Sequence, residues 1–306
     1  MRIVYLGTPD FAVNPLKSLV ESGKYEVVAV VTNKDKPVGR KQVLTPPPVK
    51  IYAKEQGIPV FQYDKIRVEG VEDLTSLCPD IMITCAFGQI LSQEILDIPK
   101  FGVINIHASL LPKYRGASPI HYAILNGEKE TGISIMKTDI GIDTGDVLLQ
   151  KSIEILPNET CGELFSRLSV LGAECLLESL PLIFSGNANF IKQNENEASF
   201  TKIVKKEHAL IDFNDSAEFN YNKIRAYNPS PVAFCYLNNE PFKVYCAEVS
   251  NKSGKPGEIL SVENELIVGC SSNSLSFKTV QKAGGKPMNI KDFLRGNKFI
   301  VGGEFK

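Results

Sequence analysis

Short apolar runs alternate with amphipathic stretches along the first half of the chain. Buried strands are predicted where the runs are almost wholly apolar, over residues 3–6, 27–32, 58–61 and 80–85. Helices are predicted between them, over residues 11–22, 49–56 and 68–77. Asp10 is the predicted N-cap of the first helix. Because strand, helix and strand in this spacing form βαβ units, we expect a mostly parallel, Rossmann-like sheet.

A further apolar run, residues 101–104, predicts a strand that leads into Asn105 and His107. Since side chains alternate along a strand, these two residues are expected to project from the same face. They also lie at the carboxyl end of the strand, where open α/β sheets bind their ligands. The local pattern is equally compatible with an asparagine that caps a turn and a histidine that packs in the core.

Beyond this strand, alternating segments flank a turn-rich loop. Strands are predicted over residues 131–137 and 147–155, and a helix over 160–184 with Thr160 and Glu163 as its capping box. The loop between the two strands, residues 138–146, holds three carboxylates. Such carboxylates commonly bond nearby backbone amides. Asp143, which stands between apolar and small residues, is the one that we expect to face a cleft.

The pattern changes after a polar, asparagine-rich segment at residues 185–199, which predicts an interdomain connection. We expect a first domain over residues 1–188, a linker over 189–205 and a C-terminal domain over 206–306. In the C-terminal domain, short strands separated by Asn, Gly and Pro predict a small antiparallel β-barrel of the OB type. Such barrels commonly bind nucleic acid or carbohydrate, and a packing or dimerisation module is the alternative.

Composition narrows the classes to which these elements can belong. The formal net charge of −1 indicates no overall attraction to nucleic acid or to a membrane surface. The chain begins with a predicted strand rather than a signal peptide, and no apolar run is long enough to span a bilayer. We therefore expect a cytoplasmic protein without a membrane partner. The seven cysteines are widely spaced and lack a CxxC pair, so we expect reduced thiols and no metal site.

Residues 33–50 form a strongly basic segment. Lys36, Arg40 and Lys41 lie close together ahead of a triple proline. The segment is long for a connection in a compact domain, and such loops are usually functional or disordered. Its charge suits a phosphate backbone, to which the planar guanidinium of Arg40 can donate two hydrogen bonds. A solvated basic loop is the alternative.

Taken together, these motifs resemble the folate-dependent formyltransferases, and most fully the methionyl-tRNA formyltransferase family. The signature comprises Asn105-Ile106-His107-Ala108-Ser109-Leu110-Leu111-Pro112 and Asp143-Thr144-Gly145-Asp146. Similar segments extend over nearly the whole chain, at residues 7–12, 36–40, 45–50, 115–120, 224–229 and 256–259. The resemblance implies formyl transfer from 10-formyltetrahydrofolate to the α-amino group of methionine on initiator tRNA, without a metal ion. We expect the protein to be a monomer.

The chemistry of three residues fits the implied reaction. An amine that attacks a formyl carbon passes through a tetrahedral intermediate with a negatively charged oxygen, and each fixed donor to that oxygen contributes roughly 10²–10³ in rate. Asn105 and His107 can donate such hydrogen bonds, and histidine can gain or lose a proton near neutral pH. The family places the counterpart of Asp143 in the catalytic set. We therefore expect Asp143 to orient His107 and to assist proton removal from the amine, directly or through water.

The resemblance also implies which residues bind the two substrates. The folate side of the site is expected to be lined by Ser109, Leu110, Leu111 and Pro112. The pteridine pocket is expected to be walled by Phe87, Gly88, Gln89, Ile90, Leu91, Asp139, Ile140 and Gly141. The basic loop corresponds to the family's acceptor-stem element, with Arg40 as the main tRNA-binding residue and Lys36 and Lys41 in support. The second domain resembles the family's tRNA-binding OB module.

Other functions would share part of these features. A formyltransferase acting on a small molecule such as a nucleotide sugar, or a formyl-tetrahydrofolate hydrolase, would keep the three catalytic residues but make less use of the Arg40 loop. A nicotinamide oxidoreductase would need further glycines after Gly7 and an acidic residue at the end of the second strand, where Thr32 stands. A non-catalytic RNA-binding module would leave the three catalytic residues without a role.

Overall fold

The computed structural model describes residues 1–39 and 41–306. Arg40, which is predicted to bind tRNA, lies outside the described residues. The chain divides into two compact units. The first consists of Met1–Pro119, Glu130–Ile153 and Phe165–Lys202, and the second of Ile120–Lys129, Glu154–Leu164 and Ile203–Lys306. The domain boundaries expected from the sequence, at residues 188 and 205, stay predictions.

The first 202 residues contain the strands and helices of the first unit and parts of the second. The strands are β1 (Arg2–Gly7), β2 (Glu26–Thr32), β3 (Lys36–Val38), β4 (Val43–Thr45), β5 (Val60–Gln62), β6 (Ile81–Cys85), β7 (Val103–His107), β8 (Arg115–Gly116), β9 (Glu130–Lys137), β10 (Val147–Glu154) and β11 (Phe200–Thr201). The helices are α1 (Val13–Glu21), α2 (Pro48–Glu55), α3 (Ile66–Glu69), α4 (Val71–Ser76), α5 (Gln93–Leu96), α6 (Pro119–Leu125) and α7 (Cys161–Phe184).

Seven of these strands form one sheet, in the order β10-β9-β7-β6-β1-β2-β5. The five strands from β5 to β7 in this order are mutually parallel, and β9 runs antiparallel to β7. The chain leaves β1 towards one edge and returns to β6 on the other side of β1. Ligands of doubly wound sheets bind beyond the carboxyl ends of the strands at such a reversal.

Parallel strands are covered on both faces, which explains why the predicted strands are almost wholly apolar. Ile3 to Leu6 in β1 and Ile81 to Ile83 in β6 are completely buried. The α7 helix begins where the capping box predicts: the backbone N–H of Thr160 donates to Glu163 Oε2 at 2.8 Å, and that of Glu163 donates to Thr160 Oγ1 at 3.4 Å. This prediction is confirmed.

Two details of the predicted helices are wrong. Asp10 does not cap the first helix, because residues Asp10–Ala12 form a 3₁₀ turn that the backbone itself closes, with the N–H of Ala12 donating to the carbonyl of Pro9 at 2.9 Å. The helix expected over 68–77 is divided into α3 and α4, with Gly70 at the junction. Glycine has low helix propensity, so it marks a natural interruption.

The basic segment contains regular structure that the pattern did not predict. Strands β3 and β4 pair antiparallel, with Lys36 opposite Thr45 and Val38 opposite Val43. The valines favour an extended backbone, and Gly39, at φ +72°, takes the left-handed conformation that a tight turn needs. Val38, Val43 and Leu44 are all more than half exposed. The segment is therefore an exposed two-stranded ribbon with apolar as well as basic side chains.

The second unit contains an antiparallel sheet. Its elements are α8 (Ala217–Ala226), β12 (Phe234–Leu237), β13 (Glu240–Ser250), β14 (Ile259–Ser261), β15 (Leu266–Gly269), β16 (Ser274–Lys282), β17 (Met288–Asn289) and α9 (Ile290–Gly296). The strand order β12-β13-β16-β15-β14 curls into a half-barrel, and β17 pairs with β16. Phe242 lies at the centre of its core, with its ring centroid 5.2 Å from that of Phe305 and 6.3 Å from that of Phe277. The predicted fold class, a Rossmann-like sheet followed by a small barrel-type domain, is confirmed.

Within residues 1–39 and 41–306, no helix combines the length and apolar character that a membrane crossing requires.

Candidate active site

Asn105 and His107 occupy the carboxyl end of β7, as the sequence predicts. Asn105 lies beside Thr84 of β6 and opposite Met136 of β9, and His107 lies opposite Ser134. Both side chains reach the same carboxylate, that of Asp143, and therefore share one face of the strand. The prediction that the two residues project together is confirmed.

The amide of Asn105 has a fixed orientation. Thr84 Oγ1 donates to Asn105 Oδ1 at 3.0 Å, and Asn105 Nδ2 donates to Asp143 Oδ1 at 3.2 Å. The amide nitrogen therefore faces Asp143 and the amide oxygen faces β6. Among the described residues, the second N–H of this amide has no hydrogen-bond acceptor, so it can donate to a bound group.

The imidazole of His107 is almost completely buried and is held at both nitrogens. Nε2 lies 3.0 Å from the carbonyl oxygen of Tyr114, and Nδ1 lies 3.5 Å from Asp143 Oδ2. Because a carbonyl oxygen can only accept, Nε2 carries a hydrogen in this arrangement. A second proton on the ring would then reside at Nδ1. The edge of the ring that can exchange a proton is the one that faces Asp143.

Asp143 joins the other two residues and is itself anchored to the backbone. Its Oδ2 accepts from the N–H of Gly116 at 2.8 Å, and only 18% of the side chain is exposed. Gly116 has φ +108°, and a Cβ there would lie 2.6 Å from the carbonyl oxygen of Thr201. Only glycine fits at this close approach. The three predicted catalytic side chains thus form one cluster, in which Asn105 is hydrogen-bonded to Asp143 and His107 lies 3.5 Å from it.

The segment from Ser109 to Pro112 follows β7 and is held by hydrogen bonds to the side chains of Ser134 and Gln150. Ser134 Oγ donates to the carbonyl of Ser109 at 2.6 Å and accepts from the N–H of Leu111 at 3.1 Å. Gln150 Nε2 donates to the carbonyl of Leu111 at 2.9 Å. The hydroxyl of Ser109 is buried and donates to the carbonyl of Lys113. Of the four predicted folate-lining residues, Leu110 and Pro112 therefore keep the most accessible side chains.

Residues 87–91 follow β6 at the reversal of the sheet. Phe87 and Leu91 pack into the hydrophobic core of the first unit, whereas Gly88 and Ile90 are exposed. Gln89 holds the segment in place, because its Oε1 accepts from the N–H of Ile66 at 2.9 Å and its Nε2 donates to Asn33 Oδ1 at 2.8 Å. The accessible part of this predicted wall is thus its backbone and Ile90.

The second predicted wall, residues 139–141, belongs to the loop that carries Asp143. Asp139 Oδ1 accepts from the N–H of Gly141 at 3.0 Å and from Thr144 Oγ1 at 2.7 Å, which is the local bonding typical of carboxylates in turns. Ile140 is 74% exposed. A cavity of about 540 Å³ separates this loop from α5, with Gln93 and Leu96 on one side and Thr138 and Asp139 on the other.

Two of the three predicted tRNA-binding residues lie on the ribbon and are exposed: Lys36 begins β3, and Lys41 lies in the turn before β4. At the base of the ribbon, Lys50 Nζ donates to Asp35 Oδ1 at 2.7 Å and to Gln62 Oε1 at 2.6 Å. The described residues contain no group of three or more His, Cys, Asp or Glu that could hold a metal ion. The expectation of no metal site stays a prediction.

Four polar residues that support the cluster escaped the sequence prediction: Thr84, Ser134, Gln150 and Gln193. Thr84 and Ser134 stand inside apolar strands, and a hydroxyl there was the available signal. Gln193 lies in the segment predicted as an interdomain connection, and nothing in the local pattern distinguishes it.

Comparison with known proteins identifies related sequences over nearly the whole chain. The family described as formyl transferase matches residues 1–180, and its C-terminal domain matches residues 203–298. A methionyl-tRNA formyltransferase of Bacillus velezensis is 46% identical over 300 residues, which cover 96% of this chain and 94% of the relative. The enzyme of that name from Geobacter sulfurreducens is 45% identical over 298 residues, covering 97% and 94%.

Solved structures share the fold at lower identity. An N-formyltransferase from Helicobacter canadensis, in complex with folinic acid and dTDP-3-aminofucose, is 23% identical with a TM-score of 0.69, covering 92% of this chain and 98% of its own. A methionyl-tRNA formyltransferase from Clostridium thermocellum is 21% identical with a TM-score of 0.56, covering 83% and 95%. At such identities the structural likeness establishes the fold alone.

Proposed function

Because the chain belongs to the methionyl-tRNA formyltransferase family, we propose that it transfers the formyl group of 10-formyltetrahydrofolate to the methionine amino group of initiator methionyl-tRNA. The family predicted from the sequence motifs is confirmed. The observation that carries the chemistry is the cluster of Asn105, His107 and Asp143 at the carboxyl end of β7. Its donors and its carboxylate are what an acyl transfer to an amine requires.

The formyl oxygen gains negative charge when the amine nitrogen bonds to the formyl carbon. The unpartnered N–H of Asn105 is fixed by Thr84 and can donate to this oxygen without reorganising. Once the His107–Asp143 pair has taken up the proton of the amine, Nδ1 of His107 provides a second donor on the same face. Preorganised donors in a site of low water content stabilise developing charge more than water does.

The attacking amine must lose a proton as it forms the new bond. Asp143 is held by Gly116 and Asn105 and lies beside His107 Nδ1, so the carboxylate and the imidazole together can accept that proton. When bound, the folate donor supplies an electrophilic formyl group and an amine leaving group at N10. The same pair can return the proton to that leaving amine, which balances the reaction.

The residues around the cluster fit a planar, partly apolar donor. Ile90, Ile140 and Ile142 are large, apolar and 66–74% exposed, so they are available to pack against an apolar ligand surface. Gly88, at φ +79°, leaves the backbone of its wall open to close approach. We propose that these two loops hold the pteridine ring and that Leu110 and Pro112 line the adjacent side. The remaining predicted wall residues would then act through packing and backbone position.

The exposed ribbon formed by β3 and β4 suits the second substrate. Lys36 and Lys41 offer positive charge, and the exposed Val38 and Leu44 offer apolar contacts. Cationic side chains position a protein on phosphates, whereas apolar contacts reach bases and sugars. We propose that the ribbon contacts the acceptor stem, with Arg40 as its main residue on the basis of the sequence. Action in the cytoplasm and as a monomer are further parts of the proposal.

A formylation assay with purified protein tests this function. Initiator methionyl-tRNA should be formylated, whereas free methionine and dTDP-3-aminofucose should not. Formylation of the sugar nucleotide in preference to the tRNA would refute the proposal. Arg40→Ala should reduce discrimination between initiator and elongator tRNA, while Lys24→Ala, an exposed lysine in the turn before β2, should leave it unchanged. Equal discrimination by both variants would reduce the ribbon to a solvated surface.

A further inference from the structure

A buried glutamine holds the turn that carries Asp143. Gln193 is 8% exposed and lies between α7 and β11, within the first unit. Its Nε2 donates to two backbone carbonyls, that of Asp143 at 2.9 Å and that of Gly145 at 2.7 Å. One side-chain amide thus bridges the backbone on both sides of Thr144.

The backbone conformation of this turn requires stabilising hydrogen bonds from outside the turn. Asp143 has φ +52°, in the left-handed region that residues other than glycine rarely adopt. At Gly145, a Cβ would lie 1.8 Å from the carbonyl oxygen of Lys137, so the backbone is pressed against the end of β9. Buried carbonyls require a donor, and Gln193 supplies it for both. Conformations of this kind persist when the surroundings over-determine them.

The orientation of the glutamine is itself determined. Arg115 Nε donates to Gln193 Oε1 at 3.0 Å, so the amide oxygen faces the guanidinium and the amide nitrogen faces the turn. Arg115 is completely buried, and its other two nitrogens donate to the carboxylate of Glu195 at 2.9 and 2.8 Å. The fork geometry of arginine makes this arrangement rigid.

The backbone on either side of Arg115 meets the catalytic pair directly. The carbonyl of Tyr114 accepts from His107, and the N–H of Gly116 donates to Asp143. The side chain of Arg115 therefore reaches the Asp143 turn through Gln193, while its neighbours reach the catalytic side chains. The same short strand sets the backbone and the side chain of Asp143.

We propose that Gln193 is a positioning residue for formyl transfer, which fixes the Asp143 turn so that the carboxylate meets His107 and Asn105. This inference rests on the proposed function. The hydrogen bonds of Gln193 among the described residues run to Arg115, Asp143 and Gly145 and to none of the predicted wall residues, so its loss should affect turnover rather than substrate binding. Small misplacements of a catalytic group cost about 10²-fold in rate.

Two variants of Gln193 separate the effect of its donated hydrogen bonds from the effect of its side-chain volume. Gln193→Met keeps the approximate volume and removes all three hydrogen bonds of the amide, the two that it donates and the one that it accepts from Arg115. Gln193→Glu keeps the acceptor for Arg115 but cannot donate to the carbonyls when ionised. The matched control is Gln281→Met in the second unit, where Gln281 Nε2 donates to the carbonyl of Gly285 at 2.7 Å and Oε1 accepts from Tyr245 at 2.7 Å.

Steady-state formylation and hydrogen–deuterium exchange are the two readouts. Both Gln193 variants should lower kcat by about 10–100-fold with KM for each substrate within about twofold, and should speed exchange over residues 138–146. Gln281→Met should lower the melting temperature comparably and leave kcat unchanged. A kcat equal to that of the control, a parallel rise in KM, or unchanged exchange over 138–146 would each overturn the proposal. Absence of formylation by the unmodified protein would instead refute the proposed function. The hydrogen–deuterium exchange over residues 138–146 would still show whether Gln193 fixes the Asp143 turn.

Discussion

Replacing Asp143 by asparagine removes the negative charge of the cluster and almost nothing of its shape. The carboxylate accepts from the N–H of Gly116 on one oxygen and from Asn105 Nδ2 on the other. An amide has only one acceptor oxygen, so one of these donors must face the new NH₂ group. The variant also loses the group that orients the Nδ1 edge of His107.

The expected loss of rate is large. General acid–base catalysis contributes about 10²–10⁴ in rate, so kcat should fall by that factor, equivalent to about 2.7–5.4 kcal/mol in activation free energy. The loss of stability should be smaller, because one of two hydrogen bonds to a partly buried charged group is removed, at about 1.5–3 kcal/mol. KM for both substrates should change little, since Asp143 acts on the transferred proton.

Single-turnover formylation of initiator methionyl-tRNA measures the chemical step, and thermal unfolding measures the stability. The matched control is Asp80→Asn. Asp80 Oδ2 accepts from the backbone N–H of Arg2 at 2.7 Å and precedes β6, at the opposite end of the parallel strands from the cluster. The Asp80→Asn variant should be less stable than the unmodified protein and should formylate at the same single-turnover rate. A rate for Asp143→Asn within about threefold of that of Asp80→Asn would refute the acid–base role.

Two further predictions follow from the partners of the cluster. Thr84→Val should lower kcat about tenfold with KM unchanged, because the Asn105 amide loses the hydrogen-bond donor that fixes its orientation. A normal single-turnover rate would show that other residues fix the orientation of this amide. Hydrogen bonds from Arg115 lower the pKa of Glu195. The ionised carboxylate therefore stabilises the fold fully at pH values above the ordinary pKa of 4.5, and this stabilisation is lost as the pH falls through the lowered pKa. Glu195→Gln should therefore lower the melting temperature at pH 7, and the difference should vanish at low pH; a difference independent of pH would contradict the assignment.

The elements of the first unit were predictable because their causes are local. Burial on both faces imposes apolar runs on β1 and β6, and the period of two along β7 places Asn105 and His107 on one face. The wrong predictions also had local causes, because another local interaction formed in place of the expected one. At Asp10 a backbone hydrogen bond closed the turn in place of the carboxylate, and in the basic segment valines flanking Gly39 formed a ribbon within an expected loop.

The family motifs supplied the third member of the cluster, which no periodicity could supply. Asp143 is 38 residues beyond Asn105, in a loop where carboxylates usually serve the backbone. Asp139 does serve the backbone, through Gly141. What separates the two aspartates is the path of the loop, which brings Asp143 back over the carboxyl end of β7.

By itself the sequence determined the fold class, the family and the identity of the three clustered side chains, since these depend on neighbouring residues and on motifs. Only the tertiary structure decided how the three are oriented. Thr84 is 21 residues from Asn105, Gln193 is 50 from Asp143, and Arg115 is 78 from Gln193. Hydrogen bonds over such separations depend on strand order and register, which arise when the whole sheet assembles.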